Sequence, residues 1–148
     1  MKTLLFTTLL LAGAVHAEMK PNGALVETLC GNVTRSHQIC LAKVQGSNDL
    51  YIVKKELALG STDRLVNVKR TYARVTNIEN NSAVGATSYV YTAYSVGEED
   101  GYTVQKEVSL HTTQVVRPGL PMNATYFENN EAFYGNFTME HVAVTRDL

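Results

Sequence analysis

The sequence predicts an all-β fold: one antiparallel domain, sandwich or barrel-like, behind a signal peptide. Three observations predict it. Short runs rich in Val, Ile, Tyr and Thr recur along the chain, separated by clusters of Gly, Asn, Asp and Pro. Little of the chain reads as helix, which favours a sandwich or barrel over a mixed fold. The stretch from Thr87 to Val116 shows the pattern most fully, as two long runs flanking an acidic loop from Gly97 to Gly101. Such runs around a short Gly-bounded loop signal a hairpin. In its second run Val104, Val108 and Leu110 share one face, interrupted by Lys106. Thr103, Gln105, Glu107, Ser109, His111 and Thr113 share the other. One packed face and one wet face belong to an antiparallel sheet. In the first run Tyr89, Tyr91 and Ala93 compete with Val90, Tyr94 and Val96 for the core side.

The N-terminus carries a leader. Lys2 is a basic n-region, Leu4 to Leu11 an apolar h-region, and Val15-His16-Ala17 a small-residue cleavage box. The apolar run is shorter than the roughly 20 residues a membrane-spanning helix needs. The expected domains are therefore residues 1–17 as signal peptide and residues 18–148 as a secreted β domain. Removing Lys2 with the leader leaves 12 basic against 14 acidic side chains and no basic patch. Nucleic acid and anionic membrane are poor partners for such a chain, because both are held by clustered Lys and Arg. The two cysteines, Cys30 and Cys40, read as one disulfide in a secreted protein. The C-x-x-C spacing of a redox or metal site is missing.

Taken in order, residues 18–23 form a polar start, and Ala24 to Cys30 fits a helical turn or a first strand. Gly31 to Ser36 is turn-like, and Gln38 to Val44 reads as a short strand. Gly46-Ser47-Asn48-Asp49 is a turn by composition. Leu50 to Leu59 opens with β formers, and strand is preferred although a helix from Lys54 is conceivable. Tyr51, Val53, Leu57 and Leu59 share one of its faces, with Lys55 interrupting. Arg64 to Ile78 is long enough to require one bent or bulged strand, or two, with Val66, Val68 and Tyr72 on a face. Pro118 and Pro121 stop the hairpin, since proline cannot donate to a ladder. Ala124 to Phe127 is a short strand, Glu128 to Glu131 a polar loop, and Asn136 to Thr145 the last strand. That strand sets Phe137, Met139 and Ala143 against Val142 and Val144.

Catalytic machinery is not legible. Of the histidines outside the leader, His111 lies on a polar face, His141 is expected at the core edge, and His37 in water. A zinc centre needs converging ligands, and no H-x-H pair occurs. No serine stands in a G-x-S-x-G frame. Glu98, Glu99 and Asp100 crowd a solvated hairpin tip, which offers a general acid no burial, and a bound calcium ion is the less favoured reading. The expectation is no catalytic residue, no metal and no cofactor. Lys54-Lys55 and Lys69-Arg70 are dibasic pairs inside expected strands, where a convertase would not reach. Four N-glycosylation sequons occur, at Asn32, Asn80, Asn123 and Asn136. Tyr89, Tyr91, Tyr94 and Tyr102 concentrate on the hairpin, where amphipathic rings suit either a binding surface or cross-strand pairing.

Four short segments stand together in order: Gly46-Ser47-Asn48-Asp49-Leu50, Leu65 to Tyr72, Val75 to Ile78, and Gly85-Ala86 with Tyr89-Val90-Tyr91. They resemble, in turn, the early G-x-x-D-x-L segment, the following strand, and the later I-x-x-I and G-A segments of the insect family of small secreted proteins named for multiprotein bridging factor two. The likeness spans Gly46 to Val108; the family's G-G-x-G turn is missing, and the tail beyond Pro118 has no counterpart. The resemblance implies a secreted protein without catalytic residues. The family name refers to transcriptional coactivation, but nothing in this chain supports DNA contact. The expected function is that of a secreted, non-enzymatic glycoprotein binding an extracellular partner. The alternative is a carrier with a pocket for a small hydrophobic ligand between sheets.

Overall fold

The computed structural model describes residues 21–59, 65–115 and 121–142. The leader, the turn around Gly60 to Asp63, Pro118, and Ala143 with Val144 lie outside them. So do the side chains of Val66, Val68, Glu98 and Glu99.

Eight antiparallel strands form a closed barrel, each bonded to its neighbours in sequence. They are β1 (Leu25–Asn32), β2 (His37–Val44), β3 (Leu50–Leu59), β4 (Leu65–Asn80), β5 (Ala86–Glu99), β6 (Tyr102–Val115), β7 (Met122–Glu128) and β8 (Glu131–His141). The all-β, barrel-like expectation is met, and the undecided Ala24–Cys30 segment is strand. β8 returns to β1 through the Leu29↔His141 and Cys30↔Glu140 pairs, the shortest ladder in the ring. Beside it, Cys30 and Cys40 face each other across β1 and β2 and form a disulfide.

β5 and β6 pair along their whole lengths, from Ala86↔Val115 to Glu99↔Tyr102. The turn is therefore Asp100-Gly101, not the five-residue loop expected from Gly97. Both residues have positive φ, 52° and 81°, as a tight two-residue hairpin requires. Asn129 and Asn130, at φ 51° and 64°, close β7 onto β8 in the same way. That turn extends β7 to Glu128 and starts β8 at Glu131, five residues before the expected Asn136.

The lumen is packed. Alternate residues of all eight strands point inward: among them Leu29, Ile39, Leu41, Ile52, Ala73, Ala93, Val108, Leu110, Ala124, Phe137 and Met139. Ile39, Ile52, Leu110 and Met139 are all but sealed from solvent. Each such side chain contributes roughly 1.5–3 kcal/mol by leaving water. On β6 the inward row is the one expected. On β5 it is Tyr89, Tyr91 and Ala93 that take the inner side, since Ala93 is opposite Val108 and Tyr91 opposite Leu110. β3 keeps Tyr51 and Val53 on one face, as expected, and that face is the outer one. Its lumen row is Ile52 and Lys54, whereas Tyr51 and Val53 join Leu25, Cys40, Ala42 and Val44 in a second buried cluster on the outer side. The bulge between Glu27 and Leu29 lets β1 serve both, with Leu25 outward and Leu29 inward. β4 is the single bulged strand its length required.

Candidate functional site

The inward rows change character toward the end of the barrel that carries the Asp100-Gly101 turn. β3 runs from Ile52 to Lys54 and Glu56, β6 from Leu110 and Val108 back to Lys106, and β7 from Ala124 through Tyr126 to Glu128. On β5, Ala93 gives way to Ser95, which stands opposite Lys106 in register. A period of two holds each row on the lumen side, so four strands deliver polar groups to one level.

These groups meet around Glu128. Lys54 reaches across from the facing wall, four strands away in the ring of eight, and donates to Glu128 Oε2 at 2.7 Å. Tyr126 Oη donates to the same oxygen at 2.8 Å, and Lys106 donates to Oε1 at 3.3 Å. Glu128 is 9 % exposed, Lys54 17 % and Lys106 31 %, so the cluster opens toward Lys106. The Phe133 ring lies 4.9 Å from the Lys54 ammonium and packs edge-on against Tyr134. Half of Phe133 faces solvent. Ser95 is 5 % exposed, and its hydroxyl has no hydrogen-bond partner among the described residues.

Burial alone would push the Glu128 carboxyl up, but hydrogen bonds from Lys54 and Tyr126 and the two ammonium charges hold it below the usual range. Burial, reinforced by Glu128, drives the Tyr126 hydroxyl far above its ordinary value. Tyr134 is raised by burial and by the charges of Glu128 and Glu56. Near neutral pH Glu128 is therefore charged and the Tyr126 and Tyr134 hydroxyls are neutral.

The structure divides the four hairpin tyrosines. Tyr89 and Tyr91, rings 6.0 Å apart, lie on the inner side at the opposite end. That end also holds a shallow open hollow of about 320 Å³ between Asp49, Leu50, Val75 and Ile78. Tyr94 is on the outer wall and donates to Glu107 at 3.1 Å. Tyr102 follows the turn and is 75 % exposed. They do not make one surface. Asn32, Asn80, Asn123 and Asn136 are all exposed. His37 is not simply in water: its Nδ1 lies 3.0 Å from Ser36 Oγ, and its ring 5.9 Å from that of Tyr134. His141 is exposed rather than packed at the core edge, because it stands at the open end of the β1·β8 ladder. His111, on the polar face, rests 4.5 Å from the Phe127 ring, and that cover lowers its affinity for a proton. Glu27, Cys30 and Cys40 cluster closely enough for a metal, but the sulfurs are bonded to each other and Glu27 is paired with Lys55 at 2.6 Å.

Fold and site define a closed eight-stranded meander barrel with a packed apolar middle and a charged mouth. No protein-family model, no curated protein and no solved structure matches the chain.

Proposed function

We propose that this is a secreted, non-enzymatic glycoprotein that binds an extracellular partner at the hairpin end of its barrel. The observation that carries the reading is the contrast between the two regions. The middle of the lumen is filled by side chains, whereas the hairpin end carries a partly open charged cluster with half-exposed Phe133 against Lys54, and exposed Tyr102 four residues along β6 from Lys106. Aromatic rings around desolvated charges are the usual anchors of protein contacts. The disulfide is compatible with an oxidising compartment. The outward row of β6, with Gln105, Glu107, Ser109 and His111, is unlike the apolar band of a membrane-spanning barrel.

The carrier reading has one observation in its favour: an eight-stranded barrel has the calibre to hold one small ligand. The test is capture of extracellular proteins by the glycoprotein secreted from a eukaryotic host, compared with a Tyr102→Ala, Phe133→Ala variant of unchanged circular dichroism. Selective loss in the variant supports the contact surface; undiminished capture refutes it. A retained small-molecule mass in native mass spectrometry favours the carrier.

A further inference from the structure

We infer that the mouth of the barrel is a carboxylate-binding site, in which Lys106 and Ser95 receive an acid group brought by the ligand. The inference rests on the reading of this end as the contact surface and names the chemistry it recognises.

Donors are in excess here. Two ammonium groups share the Glu128 carboxylate in a largely buried cluster, and Glu56 is a second acid on the β3 wall. Each ammonium has three N–H donors, and each makes one hydrogen bond among the described residues. Glu128 already accepts from Lys54, Tyr126 and Lys106 and has room for about one bond more, so most of the unused donors have no acceptor on it. The Ser95 hydroxyl is a separate indication. It is buried opposite Lys106 without a partner among the described residues, and a buried hydroxyl left unpaired is costly. One acid oxygen between Lys106 Nζ and Ser95 Oγ would satisfy both.

Glu56 decides which wall the acid uses. It lies on the lumen row of β3, two residues beyond Lys54, and its charge reaches Tyr134 across the mouth. An incoming carboxylate is repelled from β3 and directed to the β5–β6 wall, where Lys106 is the most open of the three charged groups. Phe133, half exposed at the rim, offers an apolar surface for the carbon skeleton. The acid could belong to a small molecule or to the end of a peptide chain, and the recognition chemistry is the same.

The test is isothermal titration of the secreted glycoprotein with 4-phenylbutyrate, with 4-phenylbutanol as its neutral counterpart. A second pair is a tripeptide ending in Phe, with a free carboxylate or an amide. The acid of at least one pair should bind roughly tenfold more tightly than its neutral counterpart, the lower end for a hydrogen bond to a charged group. Lys106→Met and Ser95→Ala should each weaken it, and neither should weaken the alcohol. Preference within the peptide pair alone identifies a chain terminus; preference within the phenylbutyrate pair alone identifies a small molecule. Equal binding of acid and neutral forms, no binding of any probe, or full affinity in Lys106→Met overturns the inference. The contact-surface reading fails separately, when Tyr102→Ala with Phe133→Ala leaves protein capture intact.

Discussion

Replacing Gly31 by alanine tests the closure of the barrel. A Cβ at this position lands on the carbonyl oxygen of Thr138, inside van der Waals contact, with Met139 Cγ at 2.9 Å and Phe137 Cδ2 at 3.0 Å. The two side chains could yield, but the carbonyl is backbone, so β8 itself must move. β8 is held to β1 by the Leu29↔His141 and Cys30↔Glu140 pairs and by the Val142 amide on the Thr28 carbonyl at 3.0 Å. Overpacking costs about 1–3 kcal/mol, and obstruction by backbone belongs at the upper end. A strained ladder hydrogen bond adds about 1 kcal/mol. Against this, alanine restricts the unfolded chain and returns about 0.4–1 kcal/mol. The net expectation is a loss of about 3–3.5 kcal/mol, or a Tm lower by roughly 10–14 °C for a domain of this size. Urea and thermal unfolding followed by circular dichroism would measure it. Gly97→Ala is the control, since nothing lies within 4 Å of its added Cβ, and its stability should be unchanged or slightly higher. If Gly31→Ala unfolds within about 0.5 kcal/mol of the parent, the Thr138 carbonyl does not fix the seam and the reasoning fails.

Three further predictions concern the other fastenings. Glu128→Gln should cost about 2–3 kcal/mol at neutral pH, somewhat under the full penalty for breaking a buried pair because the lysines are part-open. The Glu128 carboxyl is depressed in the fold, so its contribution is complete above its ordinary pKa of about 4.3 and fades as pH falls through the lower folded value. The difference from Glu128→Gln should therefore shrink below about pH 4 in urea titrations. Lys54→Met should destabilise more than Lys106→Met, which should lose under about 1 kcal/mol, because Lys106 is more exposed and 3.3 Å rather than 2.7 Å from its partner. Replacing Cys30 and Cys40 together by alanine should remove about 2–3 kcal/mol, the chain-entropy value for a short loop, measured by the urea midpoint.

Where one side of a strand met water, the fold was legible. β6 alternates cleanly, and its inward Val104, Val108 and Leu110 could be read from spacing alone. β3 could not, because both of its sides are buried: Ile52 inward, and Tyr51 with Val53 in the outer cluster. Alternation carries no sign when both rows are apolar. Gly97 suggested a loop because glycine usually marks one, yet Asp100-Gly101 supplies both left-handed residues a tight turn needs. The charged mouth was missed for a different reason. Lys54 and Glu128 are 74 positions apart, so no local motif joins them. The available signal was Lys106, a charge in an otherwise apolar row, which reads as an interruption until its partners on two other strands are known.

The meander topology also orders events at synthesis. Seven of the eight seams join strands adjacent in the chain and can form as the polypeptide emerges; the eighth cannot exist until β8 is complete. Until then the nascent protein is an open sheet with two bare edges, at β1 and at the newest strand, each a template for intermolecular pairing. Asn123 and Asn136 lie on the last two strands to emerge. Both are exposed, so a glycan on either would stand on the outer surface of the two strands that complete the ring.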